Sequence, residues 1–88
     1  MDNIKKGDTQ KIELNFPVDK DMMAKVKYVF DALNKKGYDG ANQIIGYLVT
    51  DDPTYITTFD NARNVMREVD RYDLLFEMFD AYMKLNGD

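Results

Sequence analysis

NQIIGYLVTDDPTYITTFDNARN, residues Asn42 to Asn64, is the stretch on which the fold turns. Its first part carries Ile44, Ile45, Leu48 and Val49 at helical spacing. Pro53 lacks an amide donor and drives Asp52 out of the α region, so this helix must end near Thr50. The acids and hydroxyls around the proline bond their own backbone and hold a tight turn. At Asp60-Asn61 the pattern restarts, with either residue suited to cap another helix. The segment reads as a wedge between two longer amphipathic helices and contains no catalytic motif.

Upstream of the wedge, Asp19 is placed to cap a helix and Asp21 sits in its first turn. Met22, Val26, Val29, Phe30 and Leu33 follow on one face, and Lys35, Lys36 and Gly37 make a natural C-terminus. The spacing predicts a helix over 19–36 whose Met and aromatic stripe is core. Tyr38-Asp39-Gly40 connects it to a second helix over 41–50, where Asn42 and Gln43 are suited to cap backbone groups or to read a partner, capping being the expectation. Gly46 inside that helix costs roughly 1 kcal/mol against alanine. Close approach of another backbone would explain it.

Downstream, Ala62, Val65, Met66 and Val69 define the inner face of a third helix over 61–69. Arg63, Arg67 and Arg71, spaced by four, share one face if the helix stays regular. They read either as a solvated stripe paired with Glu68 and nearby acids, or as a contact for an anion or partner, since arginine grips phosphate and carboxylate bidentately. Asp70 followed by Asp73 resembles a capping box and opens a fourth helix over 71–85. Its polar residues, Asp73, Glu77, Asp80 and Lys84, form one narrow stripe, and nearly everything else is apolar. A helix that apolar must be covered on more than one side. Too few other helices exist in 88 residues to do so, which predicts a symmetric homodimer sharing Leu75, Phe79, Tyr82 and their neighbours.

Residues 1–11 have almost no apolar side chains, and 1–17 read as a flexible N-terminal tail, with 18–88 as one helical domain. Thr9 is the only hydroxyl residue before Tyr28. Ile12, Leu14 and Phe16 alternate with polar residues, as in a short extended segment lying on something apolar, and Pro17 closes it. The fold class expected is all-α, about four helices plus this tail.

Composition narrows the function. The absence of histidine, cysteine and tryptophan removes disulfides, thiolate nucleophiles, Ser-His-Asp catalysis and nitrogen- or sulfur-based zinc sites. No cofactor or metal is expected, and the chain reads as a non-enzyme. A formal charge of −4 opposes phosphate-driven nucleic-acid binding. No apolar run approaches the ~18 residues of a membrane span. The first ten residues lack a signal-peptide core, so a cytoplasmic location is expected, without membrane insertion.

The chain resembles the IreB family of regulatory phosphoproteins, which includes ReoM-type proteins. The residues that carry the resemblance are Lys36-Gly37-Tyr38, then Asn42-Gln43-Ile44-Ile45-Gly46-Tyr47, then Asp52-Pro53 with Tyr55-Ile56, then Ala62-Arg63-Asn64. The resemblance runs from about Val29 to the C-terminus, roughly two-thirds of the chain. Gly40 stands where the family usually has proline, Asp51 where it has glycine, and Thr58 where a basic residue is common. The resemblance implies a small all-helical cytoplasmic homodimer of bacteria, without enzymatic activity. It also implies phosphorylation of a tail threonine, here matched by Thr9, by a membrane Ser/Thr kinase, with reversal by its cognate phosphatase. The implied output is control of cell-wall precursor synthesis and antibiotic tolerance through a downstream partner, linked to Clp-dependent proteolysis.

At Thr9 physics and resemblance meet. A phosphate would add about −1.5 to −2 charge at neutral pH. That charge would draw the tail to Lys5, Lys6, Lys11 or the arginine face, or repel it from an acidic partner. Two other readings compete with a phosphorylation-switched adaptor. One is a constitutive helical interaction module whose fourth helix docks on a different protein. The other is an enzyme using Asp51 and Asp52, although turn chemistry already accounts for both acids.

Overall fold

The computed structural model describes residues 19–87. Thr9, the Ile12/Leu14/Phe16 alternation and the expected boundary at 17–18 lie outside them. Four α-helices occur among the described residues: α1 Lys20–Lys35, α2 Gly40–Thr50, α3 Ala62–Arg67 and α4 Arg71–Asn86. Two 3₁₀ turns, Pro53–Tyr55 and Phe59–Asn61, separate α2 from α3. The all-α expectation holds among these residues, and the molecule is long, 49 × 20 × 20 Å.

The ends of α1 follow from its terminal residues. The Asp19 carboxylate accepts the Met22 amide at 3.0 Å, which satisfies one of the orphan donors of the first turn. At the other end Gly37 takes φ +97°, the Tyr38 amide reaches the Leu33 carbonyl, and the Gly37 amide reaches that of Asn34. These two bonds close the helix as a Schellman motif, for which glycine at the left-handed position has no Cβ penalty. Helix α2 is capped by Asp39, whose carboxylate accepts the Asn42 amide at 3.1 Å. The Asn42 and Gln43 side chains take no part in that cap, while the Gln43 amide does satisfy a backbone group elsewhere, the Tyr55 carbonyl.

The core is a small cluster drawn from α1, α2, α3 and the wedge. Val29, Leu33, Ile56, Ala62 and Met66 are fully buried, joined by Met22, Ala32, Ile44, Tyr47, Leu48, Val69 and Leu74. Two sequence expectations are corrected here. In α2, Ile45 and Val49 face outward, and Tyr47 takes the inner position instead, because α2 meets its neighbours along the 40/44/47/48 stripe. In α1, Phe30 sits at the rim beside Gly40, and Ala32 packs inside.

The third helix is shorter than its sequence pattern. Glu68 leaves it, Asp70 adopts extended φ/ψ, and α4 starts afresh with the Asp70 carboxylate accepting the Asp73 amide at 3.0 Å. Arg71 therefore opens a new helix and does not continue the face of Arg63 and Arg67. Of the residues of α4 only Leu74 is buried. Phe79 is 60 % and Tyr82 64 % exposed, and Leu85 reaches 84 %. Along α1 an apolar groove of about 570 Å³ opens toward α4, lined by Met22, Met23, Val26, Phe30, Leu74 and Met78 among others. No helix of the described residues is long and apolar enough to cross a membrane.

Candidate functional site

Two contacts hold the wedge to α2, and both involve residues singled out in the sequence. Gln43 Nε2 donates to the Tyr55 carbonyl at 2.9 Å. The Tyr55 ring lies over Gly46, so close that a Cβ there would run into its Cδ1 and Cε1 edge. The expected close approach at Gly46 is therefore real, but an aromatic ring makes it and not a crossing backbone. Tyr47, next along, is a core residue at 5 % exposure.

Asp52 builds the turn itself. Its Oδ1 accepts from the Thr54 amide at 3.0 Å and the Thr54 hydroxyl at 2.7 Å, with Pro53 at the first position of the 3₁₀ turn. The Thr54 hydroxyl, then its amide, hold the Asp52 carboxyl below its ordinary value, with a smaller contribution from the charge of Arg63. Asp51 takes the left-handed conformation at φ 60°, and its amide bonds the Tyr47 carbonyl at 2.8 Å. Its carboxylate meets Arg71 Nε at 3.2 Å, while Arg71 Nη1 donates to the Leu48 carbonyl at 2.8 Å. Both acids are thus occupied in backbone and ion-pair geometry. Among the described residues no group of three acids is placed to hold a metal ion.

Beyond Ile56 the chain turns sharply twice. Asp60 and Asn61 are both left-handed, at φ 53° and 62°, a conformation that Asp and Asn tolerate better than most residues. Neither side chain caps α3; the Asn61 Oδ1 instead accepts from Asn64 Nδ2 at 2.8 Å. Tyr28 fixes this bend to α1 by donating its hydroxyl to the Asp60 carbonyl at 2.7 Å, and Lys36 lies 5.3 Å from the Phe59 ring centroid.

The bend and α3 together enclose a polar concavity of about 250 Å³, lined by Thr58, Asn61, Arg63, Asn64 and Arg67. Arg63 is half-buried, and its Nε donates to the Ile56 carbonyl at 2.9 Å, which sets the plane of the guanidinium. The carboxylate expected to neutralise this face, Glu68, pairs with Lys25 instead, at 3.2 Å. Asp21, with Glu68 behind it, raises the pKa of Lys25. Among the described residues neither Arg63 nor Arg67 forms an ion pair.

The structure thus brings together Arg63 and Arg67, and places Arg71 at the start of α4. It leaves Leu75, Phe79 and Tyr82 uncovered on one chain. Thr58, Asn61 and Asn64 were passed over as site residues. The 61/64/67 spacing was the available signal, since residues three apart stack on one helix face. Among proteins of known family, residues 7–84 match the family model described as IreB regulatory phosphoprotein.

Proposed function

The chain belongs to the IreB family of regulatory phosphoproteins, and from that premise we propose that it works as a non-enzymatic, phosphorylation-switched adaptor in the cytoplasm. The observation that carries the proposal is the family match itself, which begins at residue 7 and so includes Thr9. In this reading Thr9 accepts phosphate from a membrane Ser/Thr kinase and loses it to the cognate phosphatase. The adaptor controls peptidoglycan precursor synthesis and antibiotic tolerance through a downstream partner, an output linked to Clp-dependent proteolysis.

Two surfaces serve this reading. Arg63 and Arg67, which form no ion pair among the described residues, present guanidinium groups to a partner; Arg71 contributes indirectly, by anchoring α4 to α2. Helix α4 offers the homodimer contact through Leu75, Phe79 and Tyr82, because an apolar face of that breadth on one small chain is stable in water only when something covers it. The same exposed face favours one competing reading, a constitutive module that docks α4 on an unrelated protein.

Mass spectrometry of the protein from its host, with the kinase present and absent, decides between the two readings. Kinase-dependent phosphate on Thr9, with different partners captured by Thr9→Ala and Thr9→Glu forms, is the expected result. Phosphate confined to Thr50, Thr54, Thr57 or Thr58 moves the switch to the wedge. Identical partners for all forms leave the constitutive module.

A further inference from the structure

We infer that the concavity between the second 3₁₀ turn and α3 is a binding site for a phosphomonoester dianion, and that its ligand is the phosphothreonine this chain carries at position 9 once modified. The inference deepens the adaptor reading and rests on it for the identity of the phosphorylated residue.

The donor inventory points to an anion. Arg63 spends only Nε, on the Ile56 carbonyl, so its terminal N–H groups remain available with the guanidinium plane already fixed. Arg67 makes no hydrogen bond or ion pair among the described residues. Asn61 uses its carbonyl oxygen to accept from Asn64, which leaves the Asn61 amide N–H groups unspent. Thr58 differs from its neighbours. The Thr50 and Thr54 hydroxyls donate to the Gly46 carbonyl and the Asp52 carboxylate, and the Thr57 hydroxyl accepts from the Phe59 amide, whereas the Thr58 hydroxyl makes no hydrogen bond among the described residues. Four side chains thus line one concavity with uncommitted donors.

That arrangement occurs in a chain with 16 acids and 12 basic residues. With acids in excess, two neighbouring arginines that form no ion pair among the described residues are a conspicuous departure. The Asp52 carboxylate, on which the charge of Arg63 acts, is held by the Thr54 amide and hydroxyl. The acid that sequence places beside them, Glu68, is drawn away by Lys25. A volume of about 250 Å³ exceeds several times the ~30 Å³ share of one water, enough for a tetrahedral oxyanion with residual solvent. Two guanidinium forks favour phosphate over a lone carboxylate, because three terminal oxygens can meet both forks at once.

Reach permits the connection. Glu68, the residue after Arg67, is ion-paired to Lys25, which lies only six residues, about 9 Å of helix, beyond Asp19. Thr9 precedes Asp19 by ten residues, which span at most about 33–36 Å, against a molecular cross-section of 20 Å. Unmodified threonine brings no charge to the site. Phosphothreonine brings about −1.5 to −2.

The test uses the full-length chain labelled for NMR and titrated with three probes. These are inorganic phosphate, a synthetic 1–18 peptide phosphorylated on Thr9, and its unphosphorylated twin. Phosphopeptide should shift the Asn61 and Asn64 side-chain amides and the arginine Nε signals, and the twin should not. Arg67→Ala should weaken phosphopeptide binding by about 10- to 100-fold, as expected when charge-assisted bonds are lost, without altering the melting curve. Arg67→Lys should recover only part of it. A chain phosphorylated on Thr9 should be self-occupied and refuse added phosphopeptide. Binding that is unaffected by Arg67→Ala, or shifts that map away from the concavity, overturns the site. Response to inorganic phosphate without response to phosphopeptide overturns the assignment to Thr9. Because the peptide is synthetic, absence of Thr9 phosphorylation in the host would refute the adaptor reading while leaving the binding measurement intact.

Discussion

The ring of Tyr55 occupies the space that a side chain on Gly46 would need. A helix interior pays roughly 1 kcal/mol for glycine over alanine, so the site trades helix propensity for a turn packed flat on α2. The Tyr55 backbone cannot drift freely, because its carbonyl accepts from Gln43 and its amide donates to the Asp52 carbonyl at 3.2 Å.

Gly46→Ala is therefore expected to destabilise the protein by about 1–3 kcal/mol, the usual range for overpacking. The check is a double-mutant cycle with Tyr55→Ala, read by thermal melting. Once the ring is gone, alanine at 46 should be neutral or stabilising by up to about 1 kcal/mol. Equal destabilisation in both backgrounds would show that Tyr55 is not the reason for the glycine.

The two arginines of the concavity should separate in stability. Arg63→Ala removes a hydrogen bond to the carbonyl of fully buried Ile56 and should cost about 0.5–1.5 kcal/mol. Arg67→Glu breaks no bond among the described residues and should stay within about 0.5 kcal/mol of the parent. Both should abolish regulation.

Acid titration reports on the turn. The Asp52 carboxyl is held below its ordinary value of 3.8, so its contribution to folding is fully present above that value. It is lost as pH falls through the depressed folded-state value, where the carboxylate takes up its proton. Thr54→Val removes the hydroxyl that is the first cause of the depression, and the Asp52 pKa, followed by carboxyl NMR, should rise toward the ordinary value. An unchanged titration would assign the effect to the Thr54 amide and the Arg63 charge instead.

Much of this was legible from residue type and spacing. Pro53 and the acids beside it defined the wedge, Asp19 and Gly37 bounded α1, and Asp70 began α4 because capping is local chemistry. The failures were tertiary. Nothing in the periodicity of α2 says that Tyr47 and not Val49 meets the core, since both lie on apolar stripes. The regular 63/67/71 spacing suggested one arginine face, but Glu68 and Asp70 break the helix, and Arg71 turns to the Leu48 carbonyl and to Asp51. The concavity was hidden because its shape depends on the left-handed turn at Asp60 and Asn61, and Asn61, whose side chain suits a cap, lines the concavity instead.

The fourth helix supplies the last prediction. Leu75, Phe79 and Tyr82 recur at i, i+4 and i+7 on a helix that buries only Leu74 within one chain. If a second copy covers this face, sedimentation at micromolar concentration should give about twice the chain mass of 10.3 kDa. The melting temperature should rise with protein concentration, as mass action requires of a dimer. Phe79→Glu places a charge at the centre of the proposed contact and should yield a monomer. The core of α1, α2 and α3 lies elsewhere, so helical content at low temperature should be largely retained. A parent protein that sediments as a monomer at every concentration would refute the homodimer and assign the face to a different protein. A Phe79→Glu variant that remains dimeric would move the interface off this stripe, toward the groove beside Met23 and Phe30.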